Sequence, residues 1–107
     1  MTPNERFYIL NYIWHTLSPE ELLAQLAEEG AELTHAALKL RRAKVGTNPT
    51  PVRVQDATDA LMEEIADVML LVELLHLNQY EEEIENIMNF KLQRWEKRLK
   101  ERKESKK

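Results

Sequence analysis

The chain has 107 residues, no cysteine and a formal net charge of −4. This length predicts one domain with a modest core, and the missing cysteines exclude disulfides, thiolate metal sites and a thiol nucleophile. We therefore expect a single domain over residues 1–107. No apolar run reaches the ~20 residues that span a bilayer, and the N-terminus lacks a secretory signal. For these reasons we expect a soluble, cytoplasmic protein without a membrane partner.

Two helices begin with the same local signal. Residues 2–5 (TPNE) and residues 18–21 (SPEE) each place a hydroxyl residue three positions before Glu, with Pro at the first helical position. This is a capping box, which starts a helix. The pattern predicts a first helix ending near Leu17 and a second helix from Pro19 to about Ala43. Both carry apolar residues at helical spacing: Phe7, Leu10, Trp14 and Leu17, then Leu22, Leu26, Leu33 and Leu40.

A loop is predicted over residues 45–54 (VGTNPTPVRV). Its Gly46, Pro49 and Pro51 prevent a helix from continuing. Since ten residues make a long connection for a helical bundle, we interpret this loop as a candidate functional or mobile segment.

Two further helices complete the predicted fold. The third begins at the pair Asp56 and Asp59 and reaches about Leu77. Asn78 and Gln79 form a break, and the fourth helix runs from about Tyr80 to beyond Leu99. No segment alternates like a strand. The prediction is an all-α, four-helix bundle.

The third helix is apolar nearly all round. One stripe repeats at helical spacing and a second stripe lies beside it: Met62, Ile65, Met69 and Val72, then Leu61, Val68, Leu71 and Leu75. Such a helix must be covered on all sides, and three neighbouring helices from a short chain do not suffice. We therefore expect a partner chain, in a homodimer or a dimer of dimers.

Carboxylates interrupt the apolar stripes of the second and third helices. Glu29 occupies a core position of the second helix, and Glu32 lies about 60° round the helix and one turn along. Glu64 and Asp67 lie within a stripe of the third helix, again three residues apart. The spacing predicts that four carboxyl groups converge between two neighbouring helices.

Converging carboxylates repel one another and lose hydration. Shared protons with raised pKa values would relieve the repulsion, and so would a bound cation. Oxygen ligands without His or Cys favour a hard ion, Mg²⁺ or Mn²⁺. The alternative is that some of these acids face solvent in a groove and pair with Lys or Arg.

The fourth helix continues its apolar stripe with cations, placing Lys91, Arg94 and Arg98 beside Trp95. These groups could pair with the acids at a bundle end, or bind the outer phosphates of a nucleotide. Residues 91–107 hold nine Lys or Arg against three Glu. We interpret the end of this basic segment, about residues 100–107, as a frayed, solvated helix end.

Residues 28–32 (EEGAE) and 64–67 (EIAD) resemble the EExxE…ExxD pair of the MazG-like all-α nucleoside triphosphate pyrophosphohydrolases. The loop TNPTPVRVQDA and the segment KLQRWEKR resemble the small, phage-type members. The similarity covers roughly residues 18–99. It implies an oligomeric helical fold and Mg²⁺-dependent hydrolysis of (deoxy)nucleoside triphosphates to the monophosphate and pyrophosphate.

The resemblance also implies roles for individual residues. The metal ligands would be Glu29, Glu32, Glu64 and Asp67. Glu28 would orient or deprotonate the attacking water. The phosphate-binding residues would be Lys91 and Arg94. Trp14 could stack on the base, or serve as a core anchor of the first helix.

Two functions from other classes compete with this hydrolase. The first is a non-catalytic helical oligomer that binds nucleotide or a protein partner; the presence of all four expected ligands argues against it. The second is a nucleic-acid-binding module that uses the basic tail. Residues 1–90 carry 16 acidic and six basic residues, which makes nucleic acid an unfavourable partner.

Overall fold

The structure is a computed structural model that describes residues 1–46, 52–75 and 77–105, apart from the side chains of residues 77 and 78. It contains four α-helices and one 3₁₀ helix: α1 (Pro3–Thr16), α2 (Pro19–Val45), α3 (Val54–Leu74), the 3₁₀ helix (Leu77–Tyr80) and α4 (Glu81–Ser105). No strand occurs in these ranges. The all-α prediction is confirmed.

Both predicted capping boxes are present. The hydroxyl of Thr2 accepts a hydrogen bond from the Glu5 N–H at 3.1 Å, and the Thr2 N–H donates to the Glu5 carboxylate. Ser18 and Glu21 make the same pair of bonds at the start of α2. Each box pairs two N–H groups that the first turn leaves without a helical partner, which fixes where α1 and α2 begin.

The ends of α2 and α3 differ from the predicted ones by two or three residues. α2 continues to Val45, two residues past Ala43, and ends at Gly46, whose φ of 69° lies in the left-handed region that favours glycine. α3 ends at Leu74 rather than Leu77. The predicted break at residues 78–79 lies inside the 3₁₀ helix.

The start of α3 differs from the prediction. The helix begins at Val54, and Arg53 occupies the capping position without a side-chain cap bond. Asp56, the predicted start, lies in the first turn and accepts two hydrogen bonds from the Arg53 guanidinium at 3.1 and 3.2 Å. Residues 47–51 of the predicted loop lie outside the described residues, so its functional role stays a prediction.

The chain divides into two units, Met1–His76 and Leu77–Lys107. In the first unit α2 packs along α3, and α1 also contacts α3. Leu22, Leu71 and Leu74 form the buried core, and these side chains pack against it: Leu10, Ile13, Trp14, Leu26 and Leu75. This core holds α2 and α3 side by side. The single domain and the packing of all four helices stay predictions.

An ion pair also joins α1 to α3. The two guanidinium nitrogens of Arg6 donate to the two carboxylate oxygens of Glu73, one of them at 2.6 Å. The hydrogen bond from Arg6 is the main cause that lowers the pKa of Glu73. The pair therefore links α1 to α3, and its hydrogen bonds favour the ionised form of Glu73.

The second unit consists of the 3₁₀ helix and α4. The first turn of α4 is acidic and its last turn is basic, which complements the helix dipole at both ends. The helix continues to Ser105, through most of the segment predicted to fray; residues 106–107 lie outside the description. Within the described ranges, no helix combines the length and hydropathy that crossing a membrane requires.

Candidate metal centre

Three acidic side chains meet where α2 lies against α3. One carboxylate oxygen each from Glu29, Glu64 and Asp67 lies within 4.8 Å of the other two. Glu29 and Glu64 are half-buried, whereas Asp67 is exposed. Packing of the leucine core brings these side chains together, because the carboxylates occupy positions next to core residues on both helices.

The group of three does not include the other two predicted acids. Glu32 is exposed and lies outside the group, but its charge is near enough to raise the pKa of Glu64. Glu28 is also exposed. The structure thus brings together three of the four predicted ligands, with Glu32 at their edge.

The surroundings of Glu64 disfavour its ionised form. Its Oε2 atom is buried and has no hydrogen-bond partner among the described residues. Desolvation is the main cause that raises the pKa of Glu64, followed by the charges of Glu29 and Asp67, a hydrogen bond shared with Glu29 and the charge of Glu32. A bond between two carboxyl groups requires a proton. When both groups are ionised their charges repel each other, and a bound cation would relieve that repulsion.

Gln25 is a contributor that the sequence analysis missed. Its side-chain amide donates a 3.0 Å hydrogen bond to Glu29 Oε1 from one turn earlier on α2. The bond holds the Glu29 carboxylate without adding charge. The i, i+4 spacing of Gln25 and Glu29 was the available signal.

The donor set of the cluster, carboxylate oxygens alone, suits a hard divalent cation. Around one octahedral Mg²⁺, neighbouring oxygens lie about 3.0 Å apart and opposite ones about 4.2 Å apart, at a metal–oxygen distance of ~2.1 Å. The three oxygens lie within 4.8 Å of one another, so a bound ion would draw them closer together. The unpartnered Glu64 Oε2 supplies a free acceptor. Gly30, beside Glu29 in the sequence, leaves open space, since an added Cβ would meet nothing within 4 Å.

The predicted phosphate-binding residues belong to the second unit. Lys91 and Arg94 line an open cleft of α4 together with Trp95 and Arg98. The Arg94 guanidinium lies over the Phe90 ring, 5.6 Å from its centroid, in a cation–π contact. Three cations beside an indole on one helix face form a surface suited to phosphate groups, and the cleft includes Arg98, which the resemblance did not assign.

Trp14 packs against the leucine core of the first unit and is half-buried. This placement suits the core-anchor interpretation. Its assignment to base binding stays a prediction. Tyr12, on the same helix, is 64% exposed.

The raised pKa of Glu64 leads to a prediction about stability. A carboxyl whose folded-state pKa lies above its unfolded value stabilises the fold when protonated, and this contribution disappears as pH rises through the folded pKa. With a chelator present, the free energy of unfolding should therefore fall as pH rises from about 4.3, the ordinary Glu pKa, towards neutrality. Glu64→Gln should flatten this dependence, because the amide carries no charge and can donate to Glu29. Urea unfolding at several pH values measures both proteins.

Added Mg²⁺ should raise the Tm of the unsubstituted protein near neutral pH, and Glu64→Gln should remove most of that rise. Glu63→Gln is the matched control, because Glu63 is exposed and lies outside the group of three. Equal Mg²⁺ responses of the two variants would show that the cluster is not where the ion binds.

No protein-family model matches the chain, and neither a curated protein nor a solved structure matches it. Two features therefore indicate a function: the geometry of the acidic cluster and the resemblance of residues 28–32 and 64–67 to the motif pair. Both concern the same carboxylates at the contact between α2 and α3.

Proposed function

We propose that the chain is a MazG-like nucleoside triphosphate pyrophosphohydrolase, a cytoplasmic homodimer or dimer of dimers that depends on Mg²⁺ or, in its place, Mn²⁺. The observation that carries the proposal is the acidic cluster. Oxygens of Glu29, Glu64 and Asp67 lie within 4.8 Å of one another, and Glu64 Oε2 is buried without a hydrogen-bond partner. This arrangement is unfavourable unless a proton or a cation occupies it.

The cluster residues would hold the ion, with Glu32 completing the set from the edge. When bound, the ion would neutralise phosphate charge and lower the pKa of a water molecule. Gln25 keeps the Glu29 carboxylate in position through its hydrogen bond. Glu28 is exposed and free to turn towards substrate, where its carboxylate would accept the proton of the attacking water.

Lys91 and Arg94 would act on the departing pyrophosphate. Hydrolysis between the α and β phosphates leaves negative charge on the leaving group, and fixed cations stabilise that charge as it develops. The α4 cleft presents these two side chains together with Arg98. The cluster on α2 and α3 and the cleft on α4 therefore have separable roles.

Release of pyrophosphate is the direct test. The purified protein is incubated with Mg²⁺ and, separately, with each common ribo- and deoxynucleoside triphosphate, and both products are measured. We expect equal amounts of monophosphate and pyrophosphate from at least one nucleotide, and none with a chelator. Glu64→Gln should lose this activity, whereas Glu63→Gln should keep it.

Release of inorganic phosphate instead of pyrophosphate would contradict the proposed bond cleavage. The competing function, a non-catalytic helical oligomer, is favoured by the exposed apolar residues on α3, Met62 and Met69 among them. A protein that binds nucleotide in the presence of Mg²⁺ but leaves every triphosphate intact would support that alternative.

A further inference from the structure

Gln25 contacts the acidic cluster without belonging to it. Its side-chain amide donates a 3.0 Å hydrogen bond to Glu29 Oε1. Glu29 is half-buried where α2 lies against α3, whereas Gln25 is exposed one turn earlier on α2. A neutral side chain at the surface therefore engages one oxygen of a predicted metal ligand.

A similar pair on α3 shows the same bond away from the cluster. Gln55 donates to Asp59 Oδ1 at 2.9 Å, also across four residues, and both residues are exposed. Asp59 lies outside the group of three. Pairs of this kind add a little to the stability of a helix. The Gln25 pair differs in its acceptor, because Glu29 is half-buried and belongs to the acidic cluster.

The bond from Gln25 affects how Glu29 can bind an ion. A carboxylate binds a cation through one oxygen or through both. Binding through both oxygens brings each of them to the ion, so it competes with the Gln25 amide for Oε1. An intact bond therefore favours Glu29 as a ligand through one oxygen.

The mode of carboxylate binding distinguishes Mg²⁺ from Ca²⁺. Mg²⁺ is small, demands a near-octahedral shell and keeps several water molecules, which suits carboxylates that each give one oxygen. Ca²⁺ is larger, takes more oxygen ligands in a flexible shell and also accepts both oxygens of a carboxylate. A donor that engages one oxygen of Glu29 therefore favours the smaller ion.

We propose that Gln25 is a positioning residue that selects Mg²⁺ over Ca²⁺ at the acidic cluster, by holding Glu29 as a ligand through one oxygen. This role rests on the proposed function, because it requires that the cluster bind a divalent cation. The resemblance assigns no role to Gln25, and the residues that carry the proposal all lie on α2 and α3. Glutamine suits the role because its amide donates without bringing a charge, and a cationic donor would repel the ion.

Titration calorimetry of the full chain, with Mg²⁺ alone and with Ca²⁺ alone, tests this role. Gln25→Met keeps the approximate length and the helix propensity of the side chain and removes the donor. We expect its Mg²⁺ affinity to fall about tenfold, a usual scale for a residue that orients a metal ligand, while its Ca²⁺ affinity changes less than about twofold. Gln55→Met is the matched control, because it removes the same kind of bond from Asp59. It should leave both affinities unchanged.

Gln25→Lys is a second variant, which retains a donor for Glu29. Its charge should weaken the binding of both ions by a similar factor, so the ratio of the two affinities should stay that of the unsubstituted protein. Because residue 25 is exposed, both variants should fold.

Equal losses of Mg²⁺ and Ca²⁺ affinity in Gln25→Met would overturn the role in selectivity, since a purely structural effect weakens both ions alike. Affinities equal to those of Gln55→Met would also overturn it. Either result leaves the proposed function intact. If the unsubstituted protein bound neither ion, with or without nucleotide, the proposed function itself would be contradicted and the role of Gln25 with it.

Discussion

Asp67→Asn is expected to abolish Mg²⁺-dependent pyrophosphate release, with kcat reduced at least ~1000-fold. Asp67 contributes one of the three oxygens of the acidic cluster, and it is the exposed member, open to solvent and to substrate. The amide has nearly the same shape but no charge, so it binds a hard divalent ion weakly. Steady-state kinetics at saturating nucleotide, over a range of Mg²⁺ concentrations, measures the loss.

The stability of Asp67→Asn separates a functional loss from a structural one. Because Asp67 is exposed and its charge is among those that raise the pKa of Glu64, removing it should not lower the Tm in the presence of a chelator. Asp59→Asn is the matched control: Asp59 is an exposed carboxylate on α3 that accepts a hydrogen bond from Gln55. A folded Asp67→Asn variant with full turnover would remove Asp67 from the proposed metal site.

Helix starts could be predicted where a local hydrogen-bond pattern determines them. The capping boxes at Thr2 and Ser18 need only residues three positions apart, and α1 and α2 begin as expected. α3 lacks such a box. The sequence predicts its start at Asp56, but the Asp56 carboxylate binds Arg53, and the helix begins at Val54. Acidic residues near a helix start therefore locate a first turn without fixing its first residue.

Part of the candidate site was predictable because it, too, depends on the local spacing of residues along each helix. Spacing along each helix shows that Glu29 and Glu64 share inward-facing positions, because helix geometry determines which residues lie on one face. The rotation of α2 against α3 depends on packing around Leu22 and Leu71, which no local pattern encodes. That rotation leaves Glu32 outside the group of three.

The role of Gln25 was missed because a neutral side chain does not stand out among many charged residues. Its hydrogen bond to Glu29 becomes apparent only once the cluster is in place.

Conversely, the excess of apolar residues on α3 was readable from the sequence, and the structure shows where it lies. Met62 and Met69 are exposed on the face away from the core. A partner chain as their cover stays a prediction.

Lys91→Ala is expected to lower kcat/KM for the triphosphate by about 100-fold, or ~3 kcal/mol of transition-state stabilisation, while leaving Mg²⁺ binding unchanged. The physical reason is the division of roles between the α4 cleft and the acidic cluster. Lys91 lines the cleft with Arg94, Trp95 and Arg98 and would stabilise charge on the leaving pyrophosphate. Lys91 is a cleaner probe than Arg94, whose removal would also break the cation–π contact with Phe90.

Two measurements decide whether Lys91 acts on the substrate or supports the fold. Lys97→Ala is the matched control: Lys97 is exposed on α4, about 120° round the helix from Lys91, and is not among the cleft residues. A supporting role predicts that Lys91→Ala lowers the Tm while the folded fraction keeps the kinetics of Lys97→Ala. A phosphate-binding role predicts the reverse, an unchanged Tm with a reduced kcat/KM. The acidic cluster is intact in both variants, so Mg²⁺ should raise the Tm of each. If Mg²⁺ no longer raised the Tm of Lys91→Ala, metal binding and phosphate binding would not be separate.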